Sequence, residues 1–178
     1  MKRVMIIGCG GSGKSTLSRR LHQITGLPLV HLDREYWQPN WVETVPDEWA
    51  AKVEAIATQD AWIIDGNYGG TMDLRMENAD TVIFMDRSRW LCLFRVLKRT
   101  LFSYGKSRPD MAEGCRERFS WGFLLYIYRY NQTRRPRILA KLANQMEEKE
   151  VFILESNRAV KAFLGNARAR FGNTFGVM

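Results

Sequence analysis

A glycine-rich segment near the start of the chain has the residue types and spacing of a phosphate-binding loop. It matches the pattern G-x-x-x-x-G-K-[ST] over eight consecutive residues: Gly8, Cys9, Gly10, Gly11, Ser12, Gly13, Lys14 and Ser15. Glycines let backbone N–H groups turn inwards around a phosphate, and the positive end of a following helix points at the same place. Lys14 can bridge the β- and γ-phosphates, and the Ser15 hydroxyl can ligate Mg²⁺. We therefore expect MgATP to bind to these residues other than Cys9, together with Thr16.

Apolar runs and helical spacing predict the elements that would hold this loop. Five apolar runs are expected to form strands: Arg3–Ile7, Leu27–Leu32, Ala61–Ile64, Thr81–Met85 and Val151–Leu154. Helical spacing predicts helices at Lys14–Ile24, from Pro46, at Arg89–Leu101, and near Ala159–Phe163. A long helix is also expected from about Phe119, with an interruption near Pro136. Strands that alternate with helices indicate an α/β fold with a parallel sheet. The loop then lies between a strand and a helix, which is the context that the motif needs.

The composition restricts the class of partner. Lys and Arg number 27 against 19 for Asp and Glu, which gives a net charge of +8 and a sequence pI of about 9.7. A basic chain suits polyanions such as nucleotides, phosphorylated metabolites or nucleic acid. No apolar run approaches the roughly 20 residues that span a bilayer, and the cysteines form no CxxC pair. We therefore expect a cytoplasmic protein with no membrane partner, disulfide framework or zinc site.

Around the glycine-rich loop the chain resembles the adenylate-kinase-like branch of P-loop proteins. The segment Trp62-Ile63-Ile64-Asp65-Gly66 is similar to their third-strand aspartate–glycine motif, and Arg95 and Arg99 are spaced like the arginine pair that opens their lid. More narrowly, nearly the whole chain resembles the bacterial DNA topology modulation proteins, through His31-Leu32-Asp33, Tyr36-Trp37, Pro39-Asn40-Trp41, Asp65-Gly66-Asn67-Tyr68, Arg108-Pro109-Asp110-Met111 and Gly114-Cys115-Arg116-Glu117-Arg118.

The resemblance implies an architecture. It implies a three-layer P-loop NTPase fold with a five-stranded parallel sheet in the order 2-3-1-4-5 and ligands at the carboxyl ends of the strands. We expect one kinase-like domain over residues 1–178, with an acceptor-side flap at 33–60 and a short, mobile, lid-like excursion at 100–118.

Two aspartates that end predicted strands are candidates for metal binding and proton transfer. Asp65 is placed to hold Mg²⁺ through water, and its alternative role is to cap a turn with Gly66. In the implied strand order Asp33 faces the phosphate loop across the acceptor pocket, where it would accept the proton of a hydroxyl or orient that hydroxyl. The alternative for Asp33 is an indirect role at the metal, through groups that themselves bind the metal. His31 shares a strand face with Asp33, and we expect it to be a core histidine.

Four arginines would supply the positive charge that phosphoryl transfer needs. In the helix Arg89–Leu101 we predict a buried stripe of Trp90, Phe94, Leu97 and Leu101, with the arginines on another face. The resemblance implies that Arg95 stacks on adenine and Arg99 reaches the phosphates. It also implies that Arg108 and Arg118 swing in when the lid closes. The alternative for all four is a solvated basic surface.

One departure from the resembling kinases concerns the acceptor. After the aspartate–glycine pair those kinases carry an aromatic–proline–arginine segment, whose arginine grips the acceptor phosphate, but here the chain reads Asn67-Tyr68-Gly69-Gly70. An ordinary nucleoside monophosphate is therefore not the expected acceptor. The loop aromatics Tyr36, Trp37, Trp41 and Tyr68 either line an acceptor pocket or pack the flap.

The sequence predicts an ATP-dependent kinase that acts on a small molecule. The alternative is a nucleotide-binding regulatory protein associated with DNA, without small-molecule kinase activity. Five basic residues lie between Arg129 and Lys141 near several tyrosines, and no acidic residue lies between Glu117 and Glu147. This stretch is a conceivable nucleic-acid surface, although we favour a solvated helix face because no nucleic-acid-binding motif is present.

Overall fold

Five parallel strands form the sheet that the apolar runs predict. The structure is a computed structural model that describes residues 1–172. The strands are β1 (Arg3–Gly8), β2 (Leu29–His31), β5 (Trp62–Asp65), β6 (Thr81–Met85) and β7 (Glu150–Ile153). They lie in the order β2-β5-β1-β6-β7. A separate antiparallel hairpin is formed by β3 (Trp37–Gln38) and β4 (Val42–Glu43). Numbered without the hairpin, the sheet has the expected order 2-3-1-4-5.

Helices occupy most of the chain between these strands. They are α1 (Lys14–Thr25), α2 (Leu32–Tyr36), α3 (Pro46–Ala57), α4 (Met72–Asn78), α5 (Arg89–Ser103), α6 (Trp121–Thr133), α7 (Arg135–Ala143) and α8 (Asn157–Phe171). The short α2 and α4 were not predicted. The interruption predicted near Pro136 is present, because α6 ends at Thr133 and Pro136 lies in the first turn of α7. None of the described helices combines the length and apolar character that crossing a membrane requires.

The sheet has a hydrophobic core on each face, which makes the architecture three-layered. Strand side chains alternate between the two faces because consecutive residues of a strand point in opposite directions. Met5, Ile7, Ile64 and Phe84 join one core with α3 to α7, whereas Val4, Ile6, Ile63 and Ile83 join the other with α1 and α8. Because a core covers each face of the sheet, the central strands are buried on both faces, as is usual for parallel strands.

The apolar stripe predicted for α5 lies on the outside of the protein, so that prediction was wrong. Its four residues are between 47% and 76% exposed: Trp90, Phe94, Leu97 and Leu101. The buried face instead carries Cys92, Val96 and Thr100. The reason is that this face packs against the glycine loop. The approach is so close that a Cβ atom on Gly11 would lie 2.6 Å from the carbonyl oxygen of Cys92. Bulky side chains do not fit where α5 meets the glycine loop.

The strand register brings the chemically interesting residues to one edge of the sheet. His31 of β2 is paired with Asp65 of β5, and Asp65 is paired with Ile6 of β1. These pairs lie at the carboxyl ends of the strands, directly before the loop that starts at Gly8. The edge of the sheet therefore presents Asp65 and the glycine loop to the same space, as expected for ligand sites in open α/β sheets.

The contact between the glycine loop and α5 is testable by substitution. Gly11 has φ +78° and no room for a Cβ atom, whereas a Cβ atom on Gly70 would meet nothing within 4 Å. We expect Gly11→Ala to destabilise the fold by about 1–3 kcal/mol, from backbone strain and overpacking. Gly70→Ala should be close to neutral. Thermal unfolding measures both, and equal melting temperatures for the two variants would contradict this packing.

Candidate active site

The loop from Gly8 to Ser15 is held by side chains as well as by its own turn. The ammonium of Lys14 donates to the carbonyl oxygens of Gly8 at 2.9 Å and Cys9 at 3.1 Å, so it lies over the loop. The Asn67 side chain accepts from the Gly8 N–H at 2.9 Å and donates to the Gly8 carbonyl oxygen at 2.6 Å. Asn67 thereby fixes the first residue of the loop against the turn that follows β5.

Asp65 is 4% exposed, and only one of its two carboxylate oxygens has a hydrogen-bond partner among the described residues. Its Oδ2 accepts from His31 Nδ1 at 2.9 Å and from the Ser18 hydroxyl at 3.5 Å. Its Oδ1 is buried and has no hydrogen-bond partner among residues 1–172. Within the same residues, no three His, Cys, Asp or Glu side chains form a metal cage. Mg²⁺ that keeps several waters and takes one carboxylate fits this arrangement.

Asp33 is held beside the acceptor side of the loop. The prediction that Asp33 ends a strand was wrong, because β2 ends at His31 and Asp33 lies in α2. Its Oδ1 accepts from the Tyr68 hydroxyl at 2.8 Å. Burial raises the pKa of the Asp33 carboxyl above its ordinary value, although the Tyr68 hydroxyl and the nearby charges of Lys14 and Arg108 act in the opposite direction. A carboxylate with a raised pKa next to a lysine has the properties of a proton acceptor at a functional site.

The lid-like segment folds over this edge through an acidic residue that the sequence analysis missed. Glu117 is 5% exposed and accepts from Arg99 Nε at 3.1 Å and from Arg108 Nη1 at 3.2 Å. Burial acts to raise the pKa of Asp110, but Arg108 and a hydrogen bond with Ser15 outweigh it and lower this pKa. Residues 99–117 thus bring together two arginines and two carboxylates, Arg99 and Arg108 with Glu117 and Asp110.

The other two predicted arginines lie in different places. Arg95 Nη1 donates to the carbonyl oxygen of Ser12 at 3.2 Å, so α5 does carry this guanidinium to the glycine loop. Arg118 is exposed, and its guanidinium lies 5.0 Å from the centre of the Trp41 ring. The structure therefore gathers Lys14, Arg95, Arg99 and Arg108 around the site and leaves Arg118 on the flap.

The flap and the lid are in contact. Met111, Ala112 and Cys115 of the lid form a small buried cluster with Trp37 and Trp41. Tyr36 packs instead against Tyr68 and Trp49, with ring centres 4.8 Å and 5.1 Å apart. The loop aromatics therefore join the lid to the flap and pack beneath it, and Tyr68 alone among them reaches Asp33.

Arg75 serves the turn after β5. This arginine is fully buried, and its guanidinium donates to the backbone carbonyl oxygens of Gly66, Asn67, Tyr68 and Thr71. Burial lowers its pKa to about 10. Its donors are used to hold the turn that carries Asn67 and Tyr68, so it is not available to a ligand. Asn67 and Glu117 carried a weak signal in the sequence, the first as the polar residue after Asp65-Gly66 and the second as an acid between two arginines.

Comparison with known proteins identifies the fold. A gluconokinase from Sinorhizobium meliloti 1021 has a TM-score of 0.55 at 15% identity, over 97% of this chain and 93% of that chain. A shikimate kinase from Acinetobacter baumannii, in complex with shikimate, has a TM-score of 0.59 at 14% identity, over 99% of this chain and 96% of that chain. No protein-family profile and no curated protein matches this chain. At these identities the likeness shows the fold alone.

The chain therefore has the α/β fold of these two kinases, with a glycine loop between β1 and α1. Both structural neighbours are named as phosphotransferases, and both align along almost their whole length. This agrees with the fold that the resemblance implied. The narrower resemblance to DNA topology modulation proteins stays a hypothesis.

The raised pKa of Asp33 predicts a pH-dependent stability difference. Because the folded state disfavours the ionised carboxylate, wild type carries a penalty at neutral pH that disappears once Asp33 is protonated in both states, below its unfolded pKa of about 3.9. Asp33→Asn removes the charge and keeps an oxygen for Tyr68. We expect this variant to melt higher than wild type at pH 7, by about 2–4 °C for each kcal/mol relieved. The difference should shrink towards pH 4.

A matched control is Asp60→Asn, since Asp60 is exposed. Thermal unfolding of the three proteins without ligand, between pH 4 and pH 7, measures the effect. A variant that is less stable than wild type at pH 7 would mean that the ionised form of Asp33 is favoured by folding.

Proposed function

We propose that the protein transfers the γ-phosphoryl group of MgATP to a hydroxyl group of a small-molecule acceptor. The observation that carries the proposal is the position of Asp33, which follows β2 at the edge of the sheet where the glycine loop begins and whose carboxylate accepts from the Tyr68 hydroxyl. A proton acceptor next to the phosphate-binding lysine is what transfer to a hydroxyl requires. The small-molecule kinase fold and the glycine loop support the same reading.

Each residue of the site has a role in this reaction. The backbone of the glycine loop and Lys14 bind the phosphates, and Arg95 lies where it can contact the nucleotide. Asp33 accepts the proton from the acceptor hydroxyl, while Arg99 and Arg108 stabilise the charge on the migrating phosphoryl group. Arg118 would join them only if the lid moved it away from Trp41.

Magnesium fits between the loop and β5. Ser15 and Asp65 would hold it, the hydroxyl directly and the carboxylate through water. When bound, the metal neutralises charge on the β- and γ-phosphate oxygens. His31 and Ser18 keep the Asp65 carboxylate in place for this, through the hydrogen bonds to its Oδ2.

A DNA-associated role has weaker support. Two residues of the basic stretch are engaged within the protein, because Arg135 pairs with Asp86 at 2.8 Å and Lys141 pairs with Asp73. The stretch therefore offers fewer charges to nucleic acid than its composition suggests. ATP consumption that depends on a small hydroxylated acceptor, and not on DNA, separates the two functions.

The proposed transfer is tested by measuring ADP formation from MgATP with a panel of hydroxylated metabolites. Lys14→Ala should abolish the rise in melting temperature that ATP causes, about 2.7 kcal/mol of stabilisation at a hundredfold excess over Kd. Asp33→Asn should keep that rise, because it leaves the phosphate site intact, and lose transfer by about 10²–10⁴-fold. Full turnover in Asp33→Asn would remove Asp33 from the mechanism.

Nucleoside monophosphates are expected to be poor acceptors. A monophosphate brings further negative charge next to the triphosphate, and arginines normally separate the two. Arg75, the nearest arginine in sequence after Asn67-Tyr68-Gly69-Gly70, is fully buried and hydrogen-bonded to carbonyl oxygens. Coupled detection of ADP with AMP, CMP, UMP, GMP and dTMP measures this. Turnover on any of them at about 1–100 s⁻¹, the ordinary kinase range, would contradict it.

A further inference from the structure

An arginine from a distant part of the chain lies beside the turn where the resembling kinases carry their acceptor-binding arginine. The Nη1 atom of Arg134 is 3.3 Å from the position that a Cβ atom would take on Gly69. Gly69 directly follows Tyr68, whose hydroxyl donates to Asp33. The absence of a side chain on Gly69 therefore leaves room for a guanidinium at the end of the Asp33–Tyr68 pair.

The backbone at Arg134 is fixed by its neighbours. Arg134 lies at the junction between α6 and α7, and its N–H donates to the carbonyl oxygen of Tyr130 at 2.9 Å. The next residue, Arg135, makes a two-pronged contact with Asp86, at 2.9 Å from Nε to Oδ1 and 2.8 Å from Nη2 to Oδ2. The junction is thereby anchored to the end of β6, while the side chain of Arg134 itself extends towards Gly69.

Arg134 differs in its partners from two of its basic neighbours, Arg135 and Lys141. Arg135 and Lys141 are ion-paired with carboxylates. Arg134 has no carboxylate within salt-bridge distance among residues 1–172, and its side chain is exposed. Its position against a glycine of the acceptor-side turn makes it a positive charge that a bound anion can reach.

The buried phenol of Tyr126 connects this charge with Asp33. Burial raises the pKa of Tyr126, and among nearby charges Arg134 lowers it while Asp33 raises it. Asn67 donates to the Tyr126 hydroxyl at 3.0 Å. The charges of both groups thus act on the Tyr126 hydroxyl, and Asn67 links that hydroxyl to the first residue of the glycine loop.

We propose that Arg134 binds the carboxylate of the acceptor, and that the acceptor is a small hydroxy acid. The proposal rests on the proposed function: the hydroxyl to be phosphorylated lies at Asp33, and the carboxylate of the same molecule lies at Arg134. A guanidinium binds a carboxylate through two parallel hydrogen bonds, which fixes the orientation of the acceptor. Arg134 is thus a specificity-determining residue on the acceptor side.

The charge of the site favours a carboxylate over a phosphate monoester. Arg134 is one exposed guanidinium, and the other arginine of this turn, Arg75, donates to backbone carbonyl oxygens. One positive charge balances the single charge of a carboxylate, whereas a phosphate monoester carries up to two and lies close to the triphosphate. A neutral polyol would leave Arg134 without a function.

The test compares acceptors that differ only in this group. The probes are gluconate and shikimate as hydroxy acids, glucose and methyl shikimate as neutral counterparts, and glucose 6-phosphate and AMP as phosphate monoesters. Wild type, Arg134→Gln and Arg134→Lys are assayed for ADP formation, together with Arg137→Gln as a matched control, since Arg137 is also exposed on α7. Thermal unfolding shows whether each variant is folded.

We expect wild type to prefer a hydroxy acid over its neutral counterpart. Arg134→Gln should raise KM for the hydroxy acid about 10- to 100-fold, the loss typical of a charge-assisted hydrogen bond, with kcat within a factor of a few. The KM for a neutral acceptor should not change, and Arg134→Lys should retain part of the preference. Arg137→Gln should behave as wild type.

The outcomes separate this proposal from the proposed function. Turnover that favours a neutral or phosphorylated acceptor, or a hydroxy acid whose KM is unchanged in Arg134→Gln, overturns the role of Arg134 and leaves the kinase reaction standing. No acceptor-dependent ADP formation by a wild type whose melting temperature ATP still raises overturns the kinase reaction, and the role of Arg134 with it.

Discussion

The close approach of the glycine loop to α5 is the constraint on which the site depends. A Cβ atom on Gly11 would lie 2.9 Å from Val96 and closer still to the Cys92 backbone, so this face of the helix can carry only small residues. Arg95 and Arg99, which precede Val96 and Thr100 in the helix, lie at the border of this face, with Arg95 against Ser12 and Arg99 against Glu117. Packing against the loop therefore decides which side of α5 is buried, and with it where the arginines of the site lie.

The sequence predicts the parts of the fold whose signals are local. The glycine motif, the five strands and Asp65 at the end of β5 are visible because strand, turn and helix follow each other within a few residues. The orientation of α5 is not, because hydrophobic periodicity assumes that the most apolar face is buried, and here Phe94 is 62% exposed. The contact of Asn67 with Gly8 spans 59 residues, and no local pattern encodes a contact over that distance.

The lid shows how repulsion between the arginines is balanced. Burial is the main cause that lowers the pKa of Arg99, and the nearby charge of Arg108 lowers it further, so the two guanidinium groups repel each other. Glu117 accepts a hydrogen bond from each, and Thr100 donates to it as well. One buried carboxylate thus holds Arg99 of α5 and Arg108 of the lid side by side.

Burial and partners, rather than residue type, decide what each arginine near the acceptor side does. Arg75 is buried and donates hydrogen bonds to four backbone carbonyl oxygens, so it stabilises a turn. Arg135 is ion-paired with Asp86, and this pair anchors the junction between α6 and α7. Arg134, adjacent to it in sequence, lies against a glycine instead of a carboxylate. The absence of a side chain at Gly69 therefore does not leave this turn without positive charge, because Arg134 Nη1 lies 3.3 Å from the position that a Cβ atom would take on Gly69.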